Sequence, residues 1–158
     1  SKAVNASIAD MVHDVPPFPF VRECLEKARQ RADMIVVSQT PTEALVREWE
    51  EHRINTFVQA IAGQEMGTKA EHIQLASQGR YDPSRILMIG DAPGDHKAAV
   101  ANKALFFPIN PGDEDKSWER LYKEGLDRFF AGTFAGQYQA ALLKEFESYL
   151  PELPPWSR

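Results

Sequence analysis

The chain predicts an α/β fold built on a parallel sheet. Three observations carry that expectation. Met34–Val37 and Ile86–Ile89 are unbroken aliphatic runs, the pattern of strands buried on both faces. The stretches between the runs have helical periodicity and helix-start residues. Strands and helices alternate at short spacing, which right-handed crossovers of a parallel sheet require.

The elements follow in order. Residues 1–17 have weak periodicity and end in His13-Asp-Val-Pro-Pro17, which reads as a short helix followed by a linker. From Pro19 a helix is expected, with Val21, Cys24, Leu25 and Ala28 on one face. Asp33–Val37 is a strand ending at Ser38. Thr40-Pro-Thr-Glu43 starts a helix that runs to about His52, with Thr40 as N-cap, Pro41 in the first helical position and Glu43 closing a capping box. Asn55–Ile61 is the next strand, interrupted by Gln59, and Gly63–Gly67 is a loop. Thr68-Lys-Ala-Glu71 is a second capping box, opening a helix that stops near Gly79. Tyr81–Ser84 turns the chain into Ile86–Ile89, a helix follows over about Asp95–Asn102, and Ala104–Ile109 is the last strand. Beyond Asn110-Pro-Gly112, Trp118, Leu121, Tyr122 and Phe129 mark one amphipathic helix, and Tyr138, Ala141, Leu142 and Phe146 mark another. Aromatic stripes at that spacing are core-packing faces.

Bulk properties narrow the function classes. With 43% hydrophobic residues, 158 residues make one domain with a real core and not two full ones. A net charge of −5, with no basic stripe interleaved with aromatics, speaks against nucleic acid as partner. No apolar run reaches membrane-spanning length, and no signal-peptide pattern opens the sequence. The single cysteine, Cys24, excludes an internal disulfide and sits on an apolar helix face, so core packing is its expected role. Together these predict a cytoplasmic location.

The chemistry gathers where strands give way to helices. Ser38 follows the strand Met34–Val37, Lys69 lies in the first turn of the helix opening at Thr68, and Gly90-Asp91-Ala-Pro-Gly-Asp95 follows Ile86–Ile89. In a parallel sheet all of these share the carboxyl edge, where ligands bind. Two carboxylates with no Lys or Arg between them repel unless a cation or proton intervenes, and hard oxygen donors suit Mg²⁺. Helix N-termini aimed at that edge, a hydroxyl and a fixed cation suit a phosphoryl group. Each residue alone admits a plainer account. Asp95 caps a helix beginning near His96, Ser38 is a turn residue, and His96 is a helix-surface residue. Lys69 opposes its helix dipole by ~0.3–1 kcal/mol, a placement against local preference that leaves a structural and a functional reading both open.

The ordered set resembles the haloacid dehalogenase (HAD) superfamily of hydrolases. Met34-Ile-Val-Val-Ser38 matches its second motif, Gly67-Thr-Lys69 its third, and Gly90-Asp91-Ala-Pro-Gly-Asp95 its fourth, a resemblance spanning roughly residues 16–110. It implies a Rossmann-like three-layer α/β/α core with a C-terminal helical extension, and Mg²⁺-dependent phosphoryl transfer through an aspartyl-phosphate. Ser38 and Gln39 would bind the phosphoryl oxygens of a phosphorylated small-molecule substrate. Lys69 would neutralise charge on the phosphate and the nucleophile. Asp91 would coordinate Mg²⁺, and Asp95 would support it through water. Paired acids in the fourth motif favour the phosphatase branch, because the dehalogenases that name the family do not need Mg²⁺.

The family's first motif, an apolar strand ending in Asp-x-Asp, is absent. Asp113-Glu-Asp115 follows Asn-Pro-Gly in a loop, and Asp10 and Asp14 lack both the spacing and a preceding apolar run. The expected division is therefore a cap-domain remnant and linker over 1–17, a core without its first strand over 18–111, and the helical extension over 112–158. The sheet should then have a central gap, and the chain alone should be inactive until an N-terminal segment or a second chain completes it. Gly63–Lys69 lacks the spacing of a P-loop, and a phosphoacceptor receiver domain would carry its acidic pair early in the chain. A non-catalytic α/β scaffold that keeps a phosphate or Mg²⁺ pocket stays open as the alternative.

Overall fold

The computed structural model describes residues 5–10, 18–37, 42–51, 53, 60–62 and 82–150. Among the described residues, five strands, β1 (Asn5–Asp10), β2 (Ala32–Val37), β3 (Ala60–Ala62), β4 (Ile86–Gly90) and β5 (Leu105–Pro108), form one sheet in the order β3-β2-β1-β4-β5. Every neighbouring pair is parallel. Helix α1 (Val21–Arg29) joins β1 to β2, α2 (Thr42–Glu51) follows β2, and α3 (Pro93–Ala101) joins β4 to β5. After β5, α4 (Glu114–Arg120), a π turn (Leu121–Gly125) and α5 (Leu126–Ala131) run end to end, and α6 (Gln137–Tyr149) follows.

The expected central gap is filled. Asn5–Asp10, read from sequence as part of a short helix and linker, is instead the middle strand. It pairs with β2 from Asn5↔Ala32 to Asp10↔Val37, and with β4 from Ala6↔Ile86 to Ala9↔Ile89. Two facing rows of backbone N–H and C=O groups supply a demand for pairing that side-chain periodicity does not register. Within β1 only Ile8 is a large aliphatic residue, so the segment lacks the run that announces a buried strand.

Other boundaries shift less. Helix α3 begins at Pro93, two residues ahead of expectation, because Pro at the first helical position needs no donor and brings a preset φ. Ala60 and Ile61 are the described part of the expected Asn55–Ile61 strand, and β3 runs one residue further, to Ala62. The Thr40–Pro41 helix start and the helix expected from Thr68 lie outside the described residues.

Strand β4 explains the layers. Leu87 and Ile89 pack with Leu105, Phe107, α1 and the α4–α5 stretch, while Ile86 and Met88 pack with Phe106, Ala98 and Ala99 of α3, and Phe146 of α6. A strand alternates its faces every residue, so a run buried on both sides must be covered by helices on both sides. The result is the expected three-layer α/β/α arrangement. The C-terminal helices belong to it, since Trp118, Leu121, Phe129 and Leu142 are buried in the first of these clusters. Ala141, expected on the apolar stripe of α6, is exposed. Gly125 lies against β5: a Cβ there would stand 2.8 Å from Phe107 Cε2. Two side chains of α1 serve carbonyls of this helical stretch. Cys24 Sγ donates to Trp118 O at 3.3 Å and Lys27 Nζ to Tyr122 O at 2.7 Å. Lys27 also pairs with Asp127 at 3.0 Å.

Among the described residues strand β5 is a sheet edge, and α6 packs against it. Gln139 Oε1 accepts the Phe106 backbone N–H at 2.7 Å, occupying a donor that an open edge would leave for another chain. Gln139→Leu is expected to cost about 1–3 kcal/mol by orphaning that group. Urea unfolding measures the loss, and an unchanged midpoint would show that water serves the N–H equally well.

Candidate active site

The carboxyl edge of the sheet is built from backbone upward. β1 ends at Asp10, level with Val37 of β2, and Ala9 is level with Ile89 of β4. Asp91, which continues β4 past Gly90, therefore lies beside the end of β1. Ser38, Gln39 and Lys69 lie outside the described residues, so of the five expected site residues the structure describes Asp91 and Asp95.

Those two are brought together by the β4–α3 turn. Asp95 is 0% exposed, and its Oδ2 accepts from the backbone N–H of both Asp91 and Ala92 at 3.1 Å. The carboxylate reaches back from the first turn of α3, where its charge also complements the helix dipole. It thus satisfies two donors of a turn that has left the sheet ladder and not yet entered the helix. Gly90 makes this approach possible. A Cβ at that position would lie 2.5 Å from Asp95 Oδ2, closer than atoms can stand. Gly90 O in turn accepts from Ile109 N at 2.7 Å, extending the β4–β5 pairing past the strand end. Asp91, half-buried, therefore sits on a turn fixed from both sides. Asp95 serves it by bracing, with Oδ2 committed to the turn.

A third polar residue belongs to this edge and was missed in the sequence. Asn110 follows β5 and is 3% exposed, and its Oδ1 has no hydrogen-bond partner among the described residues. Its backbone is held at both ends: its N–H donates to Ser117 Oγ at 2.9 Å, and its carbonyl accepts from Asp113 N at 2.9 Å across a turn with Gly112 at φ +88°. Pro111 and Gly112 announce that turn, but nothing in the linear pattern shows a buried amide. The position of Asp10 at the end of the central strand was missed as well, and the signal that reveals it is its register with Val37 of β2.

Among the described residues, no group of three or more His, Cys, Asp or Glu side chains is arranged to hold a metal ion. The donor set nevertheless fits Mg²⁺, which takes one or two carboxylates and keeps several waters. Asp91 offers the carboxylate, and the buried Asn110 Oδ1 is an acceptor still in need of a donor. Cys24 is no competing nucleophile. Burial pushes its thiol far above the ordinary range, so it stays protonated. His96 lies 5.2 Å from the Phe106 ring, centroid to centroid, as a packing residue. A cavity of about 210 Å³ lined by Arg85, Leu105, Phe129 and Phe134 opens at the amino ends of β4 and β5, away from this edge.

No protein-family model matches the sequence, and no curated protein matches it. Solved structures do. The core domain of a protein described as a phosphoglycolate phosphatase from Streptococcus pneumoniae superposes with a TM-score of 0.55 at 16% identity, over 66% of this chain and 79% of that one. A HAD-superfamily hydrolase of subfamily IA from Geobacter sulfurreducens gives 0.51 at 14% identity, over 58% of this chain. The chain spans about half of that second protein, 49% of its length. The fold is thus that of the HAD-like hydrolases, a Rossmann-like α/β core with a parallel sheet. No helix among the described residues is long and apolar enough to cross a membrane.

Proposed function

We propose that the chain is the core of a Mg²⁺-dependent phosphoryl-transfer hydrolase of the phosphatase type, acting on a phosphorylated small molecule in the cytoplasm through an aspartyl-phosphate. The observation that carries this reading is the braced turn, with Asp91 presented at the carboxyl edge of a five-stranded parallel sheet by Asp95 and Gly90. Bound Mg²⁺ would neutralise phosphoryl charge there. Asp91 would hold the cation, Asp95 would keep Asp91 in place, Ser38 and Gln39 would bind phosphoryl oxygens, and Lys69 would compensate their charge.

The nucleophile divides the reading. The motif order assigns it to an Asp-x-Asp segment outside these 158 residues, which would have to take the central slot from β1. The chain alone is then inactive. The register of β1 favours a second reading in which Asp10 attacks the phosphorus, since it ends the central strand beside Val37. Two residues further on stands Val12 and not a second acid, so that route lacks a general acid for the leaving group.

A p-nitrophenyl phosphate assay with and without Mg²⁺, with Asp10→Asn alongside, decides between them. No turnover by the wild-type chain, with Mg²⁺ binding that Asp91→Asn abolishes, supports the external nucleophile. Slow turnover or a hydroxylamine-sensitive phosphoenzyme that disappears in D10N supports Asp10. Turnover that survives D10N in full would sink both. Mg²⁺ or phosphate binding with no turnover after an Asp-x-Asp strand is supplied in trans would favour a scaffold.

A further inference from the structure

The Asn110 amide oxygen is a buried acceptor without a donor, a state that a polar group inside a protein normally avoids. The residue has no freedom to escape it. Ile109 N is bonded to Gly90 O, Asn110 N to Ser117 Oγ, and Asn110 O to Asp113 N, so its backbone is pinned on three sides. Ser117 is itself buried and donates its hydroxyl to Asp113 O at 3.0 Å, which closes the clamp. A site so rigid, holding an unsatisfied oxygen, is built to receive something that donates.

Its place in the sheet says what. β4 and β5 are in register at Gly90↔Pro108. Asp91 is the next residue after Gly90, level with Ile109, and Asn110 stands one residue beyond that, so both lie just past the ends of neighbouring strands. A lone interior water needs two to four polar partners. Asn110 has already committed both its backbone groups, and its chain neighbours Ile109 and Pro111 offer no free donor. A water on a divalent cation is a better donor than a free one, because the cation polarises its O–H bonds, and Mg²⁺ keeps several such waters. We infer that Asn110 is a positioning residue for the hydrated Mg²⁺ at Asp91, its Oδ1 accepting from a metal-bound water. This rests on the reading of Asp91 as the metal-binding carboxylate, and it adds an outer contact from the neighbouring strand that orients the hydration shell.

Outer-shell partners of this kind change metal affinity about 10- to 100-fold. Isothermal titration of the full chain with Mg²⁺ alone, together with thermal unfolding in the absence of the metal, tests the inference. Asn110→Leu, near in shape but with no acceptor, should weaken Mg²⁺ about tenfold or more while unfolding at or above the wild-type temperature. Asn110→Asp, which keeps an acceptor oxygen, should bind at least as tightly as the wild type. Mg²⁺ binding by N110L equal to wild type, with D91N abolishing it, would overturn the role of Asn110 and leave the Asp91 site standing. Unaltered binding in D91N would overturn the site itself, and this inference with it. Should N110L fail to fold, Asn110→Ala reads the same affinity.

Discussion

Asp95→Ala is expected to destabilise the fold by about 3 kcal/mol and to abolish Mg²⁺ binding at Asp91. The carboxylate is fully buried and serves two backbone donors at once, and hydrogen bonds to charged groups contribute about 1.5–3 kcal/mol each. Truncation leaves Asp91 N and Ala92 N without an acceptor and removes a favourable charge from the first turn of α3. Part of the loss is recovered, because the turn is half-exposed and water can reach it. The metal effect follows from geometry: with the brace gone, Asp91 is no longer held on a fixed turn. Asp95→Asn, which keeps one acceptor oxygen, should lose less of both. Urea unfolding and Mg²⁺ calorimetry measured on one preparation give the two quantities. A variant D95A that binds Mg²⁺ as the wild type does would show that the turn holds its shape unaided.

Phe107→Ala should cost more stability, about 3–5 kcal/mol, and leave the carboxyl edge intact. The ring is 0% exposed, lies 6.2 Å from the Phe134 ring between centroids, and fills the space that Gly125 opens in the π turn. Its removal empties a volume that neither β5 nor the helix can close, because Gly125 has no side chain to move into it. Urea unfolding checks the magnitude, and Mg²⁺ affinity in folded F107A should equal that of the wild type. A loss below about 1 kcal/mol would mean that the α4–α5 stretch does not rest on the sheet. The pair of variants separates what holds the fold from what holds the site.

What could be read in advance depended on whether the information was local. Ile86–Ile89 announced itself as a strand because four aliphatic residues in a row suit nothing exposed, and burial of all four agrees. Asp91 and Asp95 were legible as a pair because their spacing spans one turn from strand to helix. Their division of labour was not, since it depends on which oxygen meets which N–H in space. β1 escaped because Ala6, Ser7 and Ala9 have almost no apolar signal; the need for that strand resides in β2 and β4. The π turn escaped too, for its neighbours Lys27 and Cys24 come from a helix far earlier in the chain. Asn110 is the extreme case, because an unsatisfied amide is a property of everything around it. The helix and loop carrying Lys69 lie outside the described residues.

The middle strand also sets an order of events during synthesis. β1 leaves the ribosome before the other four described strands, and β2 follows soon enough to pair one of its sides. Its other side must wait for Ile86, the partner of Ala6, so loop closure there is long and late. A nascent chain halted before β4 would carry β1–β3 with the flank of its own future centre exposed. Open strand flanks recruit other chains. The same arrangement that gives β1 a partner on each side in the finished molecule makes it the most vulnerable edge of the unfinished one.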